Sequence, residues 1–143
     1  MTTPWAKFSL PGERPAYAKG DSPEFRRAIR QIFGPLVEWV GAWPAGAQAW
    51  LMAEVPSEGS LSRFFRDLES RLEPAGSLWV VFPKKPFGEE LGFPFTWSDV
   101  QKAGLSAGLV DNKIAAFSSR LTSIRFVVPL ARRRRKESAG SSR

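Results

Sequence analysis

LEPAGSLWVVFPKK, residues 72–85, runs from the last turn of a helix through a Pro-x-Gly turn into an unbroken apolar segment and ends on two lysines. A strand covered on both faces needs a run such as residues 78–82, because neither side of the sheet meets water. Open α/β sheets bind ligands just beyond the carboxyl ends of their strands. Pro83, Lys84 and Lys85 are therefore candidate ligand-binding residues, the lysines for an anion, with the loop 86–95 long enough to close over it.

Helices flank this strand on either side in the sequence. Leu61, Phe64, Phe65, Leu68 and Leu72 recur every three or four residues among Arg63, Arg66, Asp67, Glu69 and Arg71, which predicts an amphipathic helix packed on the sheet. Downstream, Thr96-x-x-Asp99 reads as a capping box opening a helix that runs to about Ala107 and stops at Gly108. Gly104 inside it costs up to about 1 kcal/mol relative to alanine. Upstream, Asp21 or Ser22 caps a helix that begins at Pro23, buries Phe25, Ile29, Ile32 and Phe33, and ends at Gly34-Pro35.

The remaining strands are shorter. Residues 6–10, 36–43 and 47–55 read as strands, with a loop over 11–20 and a turn at Pro44-Ala45-Gly46. Residues 113–118 and 123–128 form an antiparallel hairpin, since Ser119 and Arg120 leave no room for the crossover a parallel pair needs. The expected architecture is α/β: a three-layer sandwich whose mostly parallel sheet carries a C-terminal antiparallel hairpin at one edge. Trp79 and Phe65 belong to its core. Trp39, Trp43 and Trp50 also pack inside, with Trp43, beside Pro44, the best placed to be exposed.

With 143 residues, 43% hydrophobic and 13% aromatic, the chain buries one core: a single domain over 1–130 and a basic, disordered tail over 131–143. It has no histidine and no cysteine, which excludes disulfides, thiolate nucleophiles, Cys/His zinc sites and Ser-His chemistry. The net charge of +7 is uneven: residues 131–143 hold six basic residues against Glu137, leaving 15 basic and 13 acidic residues in the body. Arg132, Arg133, Arg134, Arg135 and Lys136 are thus the anion-binding candidates, for nucleic acid or an anionic surface without sequence preference. No signal peptide and no apolar run of about 20 residues is seen, so a cytoplasmic protein without a membrane span is expected.

The order of helix, Pro-x-Gly turn, buried strand, loop, capped helix, Gly108-Leu109-Val110 and final hairpin resembles the second half of a class I, Rossmann-like methyltransferase. More closely, Leu78-Trp79-Val80, Pro83-Lys84-Lys85, Ala107-Gly108-Leu109-Val110 and Arg125-Phe126-Val127 resemble a family of short bacterial proteins, family 3052 among the domains of unknown function. The likeness covers residues 47–130 and matches the first 45 poorly. It implies a Gly-x-Gly-type loop for S-adenosylmethionine after the first strand. The corresponding segment is Ser9-Leu10-Pro11-Gly12-Glu13-Arg14-Pro15, with Gly12 as its one glycine. It also implies an acidic residue for the ribose hydroxyls, and Glu38 is the nearest. Glu54, at a strand end before Val55-Pro56, occupies the place of a catalytic or substrate-orienting residue.

From these residues the expected function is a non-catalytic Rossmann-like domain that binds an anionic ligand or partner and takes no cofactor. Gly12, Glu54, Pro83, Lys84 and Lys85 are its binding candidates. The alternative is an S-adenosylmethionine-dependent methyltransferase with an atypical cofactor loop.

Overall fold

The computed structural model describes residues 4–141, with side chains to residue 137. Its strands are β1 (Tyr17–Lys19), β2 (Glu38–Trp39), β3 (Gln48–Glu54), β4 (Leu72–Pro83), β5 (Val110–Ala116) and β6 (Leu121–Val127). They form one six-stranded sheet in the order β2-β1-β3-β4-β6-β5. The pairs β1–β2, β1–β3 and β3–β4 are parallel, and β6 runs antiparallel to both β4 and β5. The fold is the expected α/β sandwich, and the hairpin lies at one edge because β6 inserts between β4 and β5.

Strand pleating sends alternate residues of β4 to opposite layers. Trp79 and Val81 face α1 (Pro23–Phe33), where they join Phe25, Ile29, Phe33, Trp50 and Met52. Leu78, Val80 and Phe82 face α2 (Leu61–Ser70) and α3 (Trp97–Ser106), against Phe65, Leu68, Val100 and Phe126. Both faces are covered, which is why this strand reads as an unbroken apolar run. Ser22 caps α1 by accepting from the Phe25 N–H at 3.1 Å, and Thr96 and Asp99 close a capping box on α3. Trp79 and Phe65 are fully buried.

Three expectations need correction. Residues 6–10 do not form a strand: Ala6–Phe8 is a single 3₁₀ turn, and Ser9 takes a left-handed φ of 51°, which no strand tolerates. The break lets Phe8 plug the core, while the first strand is Tyr17–Lys19, inside the expected loop. The strand expected over 36–43 shrinks to the two residues of β2 because Gly34–Leu36 continues α1 as a 3₁₀ turn.

The basic tail is the third. Leu130–Ser141 forms a helix, α4, beneath the amino end of the sheet. Arg132 donates to the Gly108 carbonyl, Arg133 to the Val128 carbonyl at 2.8 Å, and Lys136 to the Glu69 carbonyl and carboxylate at 2.6 and 2.7 Å. The Glu69 and Gly108 carbonyls end α2 and follow α3, where helix dipoles favour cations. The charges are thus partly spent on docking.

Candidate functional site

The chain leaves β1 through α1 to β2 on one side, and leaves β3 through α2 to β4 on the other. Such a reversal parts the two connections and opens a crevice beyond the carboxyl ends of the strands between them. A cleft of about 720 Å³ lies there, at the ends of β1 and β3. Lys19, Gly20, Asp21 and Ser22 form one wall, Glu54 to Glu58 a second, and Trp43, Phe64 and Leu68 part of the remainder.

The turn from β1 into α1 is held by Glu54. One carboxylate oxygen accepts from the Asp21 and Ser22 N–H groups at 2.9 and 2.8 Å, and the other takes the Ser22 hydroxyl. Ser22 can donate to Glu54 while its lone pair caps α1, so one side chain ties the strand end to the helix start. Gly20 is required by this packing. A Cβ there would lie 2.5 Å from the Phe25 ring and 2.6 Å from the Glu54 Cβ.

The mouth is built from later segments. Arg120, in the β5–β6 turn, donates to Glu24 at 2.8 Å, Ser118 donates to the same carboxylate at 3.0 Å, and Arg120 also reaches Glu90 at 3.5 Å. Leu91 and Phe93 of the loop after β4 reach the cleft, with Phe93 stacked on Phe82 at 6.0 Å. Lys19 lies over the Trp43 ring at 5.9 Å. The lining holds the carboxylates of Asp21, Glu24, Glu54, Glu58 and Asp67 against the cations Lys19, Arg27 and Arg120. In a chain of net charge +7, this is a local reversal of sign.

Of the residues expected at a site, Glu54 and Pro83 line the cleft. Lys84 does not: its N–H pairs with the Arg120 carbonyl at 2.8 Å and its ammonium with the Ser119 carbonyl at 3.2 Å, so it fastens the hairpin to β4. Lys85 opens an exposed 3₁₀ turn, Gly12 sits in an exposed loop outside the cleft, and Glu38 is exposed at the start of β2. Gly20 and Asp21 lie at the cleft without having been singled out as site residues for a ligand, and Trp43, the aromatic expected to be the most exposed, lies there too. The signal for Gly20 and Asp21 was local: a small residue and a Ser-Pro helix start directly after Ala16-Tyr17-Ala18.

No family model matches the chain, and no curated protein does. Solved structures share the fold. LepI in complex with S-adenosylmethionine superposes with a TM-score of 0.55 at 8% identity over 88% of this chain, which spans 46% of LepI's length. CcbJ methyltransferase from Streptomyces caelestis gives 0.58 at 12% identity, covering 89% of this chain and 94% of the other. A TehB-like S-adenosylmethionine-dependent methyltransferase from Corynebacterium glutamicum gives 0.54 at 11% identity, covering 90% and 89%. These likenesses overturn the expected non-catalytic, anion-binding domain. The lining agrees: carboxylates outnumber cations, and the lysines meant for an anion stand elsewhere.

Proposed function

We propose that the chain is an S-adenosylmethionine-dependent methyltransferase whose cofactor and acceptor meet in the cleft at the ends of β1 and β3. The observation that carries this is the coincidence of a ligand-sized cleft with the point where the chain reverses across the sheet. The likeness in fold to methyltransferases supports it.

The residues present fit a cation of this kind. The cleft's size is within the range of about 300–1,000 Å³ that small-molecule sites occupy, and its carboxylates suit a sulfonium and an ammonium. Asp21 and Glu58 are exposed in the lining, so they face a ligand directly. Trp43 and Phe64 offer apolar surface to a flat ring, and Leu91 and Phe93 shield the mouth from water. Gly20, pressed against Phe25 and Glu54, serves the strand-to-helix turn in place of a glycine-rich loop. When bound, S-adenosylmethionine supplies an electrophilic methyl group that a nucleophilic acceptor takes directly.

Calorimetric titration with S-adenosylmethionine and S-adenosylhomocysteine tests the proposal. One-to-one binding in the micromolar range is expected, weakened by Glu58→Gln, an exposed change that leaves the fold intact. Absence of heat from both ligands at millimolar concentration overturns it.

A further inference from the structure

At the opposite end of the sheet from the cleft lie two guanidinium groups, Arg125 and Arg133, that form no ion pair among the described residues. Arg125 of β6 lies on the α1 side of the sheet, next to the amino end of β4. Its Nε and Nη2 both donate to the hydroxyl of buried Ser77, at 3.0 and 2.7 Å, and its Nη1 reaches the Asn112 side chain at 3.5 Å. Arg133 of α4 is anchored to the Val128 carbonyl through Nε, which leaves its terminal nitrogens unused by that bond. Among the described residues neither arginine forms an ion pair, although Arg14, Arg71, Arg120, Arg132 and Lys136 all do.

Most acids of this region are engaged elsewhere, and Glu137, one helical turn beyond Arg133, forms no ion pair with it. Glu73 pairs with Arg14, Glu69 with Lys136 and Arg132, and Asp111 accepts from Gln101 at 3.1 Å. Partial burial holds the Arg125 guanidinium below its ordinary pKa, and the nearby charge of Arg133 lowers it further. Like charges placed together at a partly desolvated position raise the free energy of the unliganded protein, and an anion relieves it. Ser77 also fixes the Arg125 side chain in advance, so less rotamer entropy is lost on binding.

We propose that Arg125 and Arg133, extended by exposed Arg134 and Arg135, form an interface for the phosphate backbone of nucleic acid. Guanidinium forks match phosphate geometry, and four such groups, three of them fanned about 100° apart over successive positions of one helix, suit several phosphates better than a single ion. An anionic membrane is the poorer fit, because α4 has Leu130 as its one large apolar residue and so lacks a face to insert. The interface is narrower than the full basic run: Arg132 and Lys136 are docked on Gly108 and Glu69. It is independent of the cofactor cleft.

Fluorescence anisotropy of a labelled duplex of about 20 base pairs and arbitrary sequence, titrated with the full chain, tests this. Four contacts give a slope of log affinity against log salt near −3.6, and each lost charge costs about fivefold at 0.15 M salt. Arg125→Gln and Arg133→Gln should each weaken binding by about that factor, Arg125→Lys should restore most of it, and Arg63→Gln on α2 should change nothing. Circular dichroism melts confirm that the variants are folded, and Arg133, on α4 outside the sheet, keeps the test decisive if Arg125→Gln unfolds. Full affinity in both glutamine variants overturns the proposal, as does equal loss in Arg63→Gln. No binding at low salt, or binding only to phosphatidylserine vesicles or to inorganic phosphate, overturns it too.

Discussion

Trp50 and Trp79, on the adjacent strands β3 and β4, donate their indole N–H groups to the same acceptor, the carbonyl oxygen of Phe8, at 2.8 and 2.9 Å. Both indoles are fully buried, so the N-terminal turn supplies the one group that satisfies two buried donors. Trp50→Phe and Trp79→Phe should each cost about 1–2 kcal/mol. The double variant should cost more than their sum by about 1 kcal/mol, because only then is the Phe8 carbonyl left without either indole. Urea melts of the three variants measure the coupling.

Phe65 is fully buried on α2, edge-on to Phe126 with ring centroids 5.1 Å apart. Phe65→Ala should lose about 3–5 kcal/mol of stability in denaturant melts.

Gly104→Ala pits helix propensity against packing. Alanine gains about 1 kcal/mol as a helix former, but a Cβ at residue 104 would stand 2.3 Å from the buried Phe126 ring. Overpacking costs about 1–3 kcal/mol, so the substitution should lower the melting temperature despite the better helix former. A rise would show that Phe126 moves aside freely.

Asp99 is held below the usual aspartate pKa, first by the Thr96 backbone N–H and then by the Thr96 hydroxyl in the capping box. A depressed folded-state value means that its contribution is present above the unfolded pKa, about 3.9, and is lost as pH falls through the lower folded value. Asp99→Asn should therefore lower stability at neutral pH, where the carboxylate contributes fully, and flatten the acid limb below about 4, where the parent protein loses that contribution.

Truncation after residue 130 should destabilise the domain, since it removes the Lys136–Glu69 bond between side chains 18% and 17% exposed. Charge-assisted bonds of this kind are worth about 1.5–3 kcal/mol. Thermal melts of the truncated chain should fall by several degrees.

Much of the layer order was legible in the sequence, because α1, α2, α3 and β4 are long enough for periodicity and caps to register. The N-terminal strands were not. Tyr17–Lys19 and Glu38–Trp39 are too short to show alternation, and their pairing is set by β3 rather than by their own composition. Misplacing the first strand put the turn that follows it at Gly12, whereas the turn out of β1 is at Gly20. Glu54 lines the cleft because β3 ends there, and a strand end before Val-Pro is legible in the sequence. Lys84 and Lys85 misled because a strand's end says where the backbone goes but not which way its side chains turn. For the tail, composition showed the charge, while the carbonyls it meets come from residues about 25 to 70 positions earlier.

The Arg120–Glu24 bond joins residues 96 positions apart, and Ala115, Phe117 and Leu121 pack in the same layer as Phe25 and Phe33. During synthesis, Trp50, Met52 and Trp79 can cover part of the apolar face of α1, but its covering is complete only once the hairpin emerges. Closing a loop of that length is slow relative to helix formation, and the uncovered face is open to aggregation meanwhile. The last strands to be made thus complete the burial of the first helix.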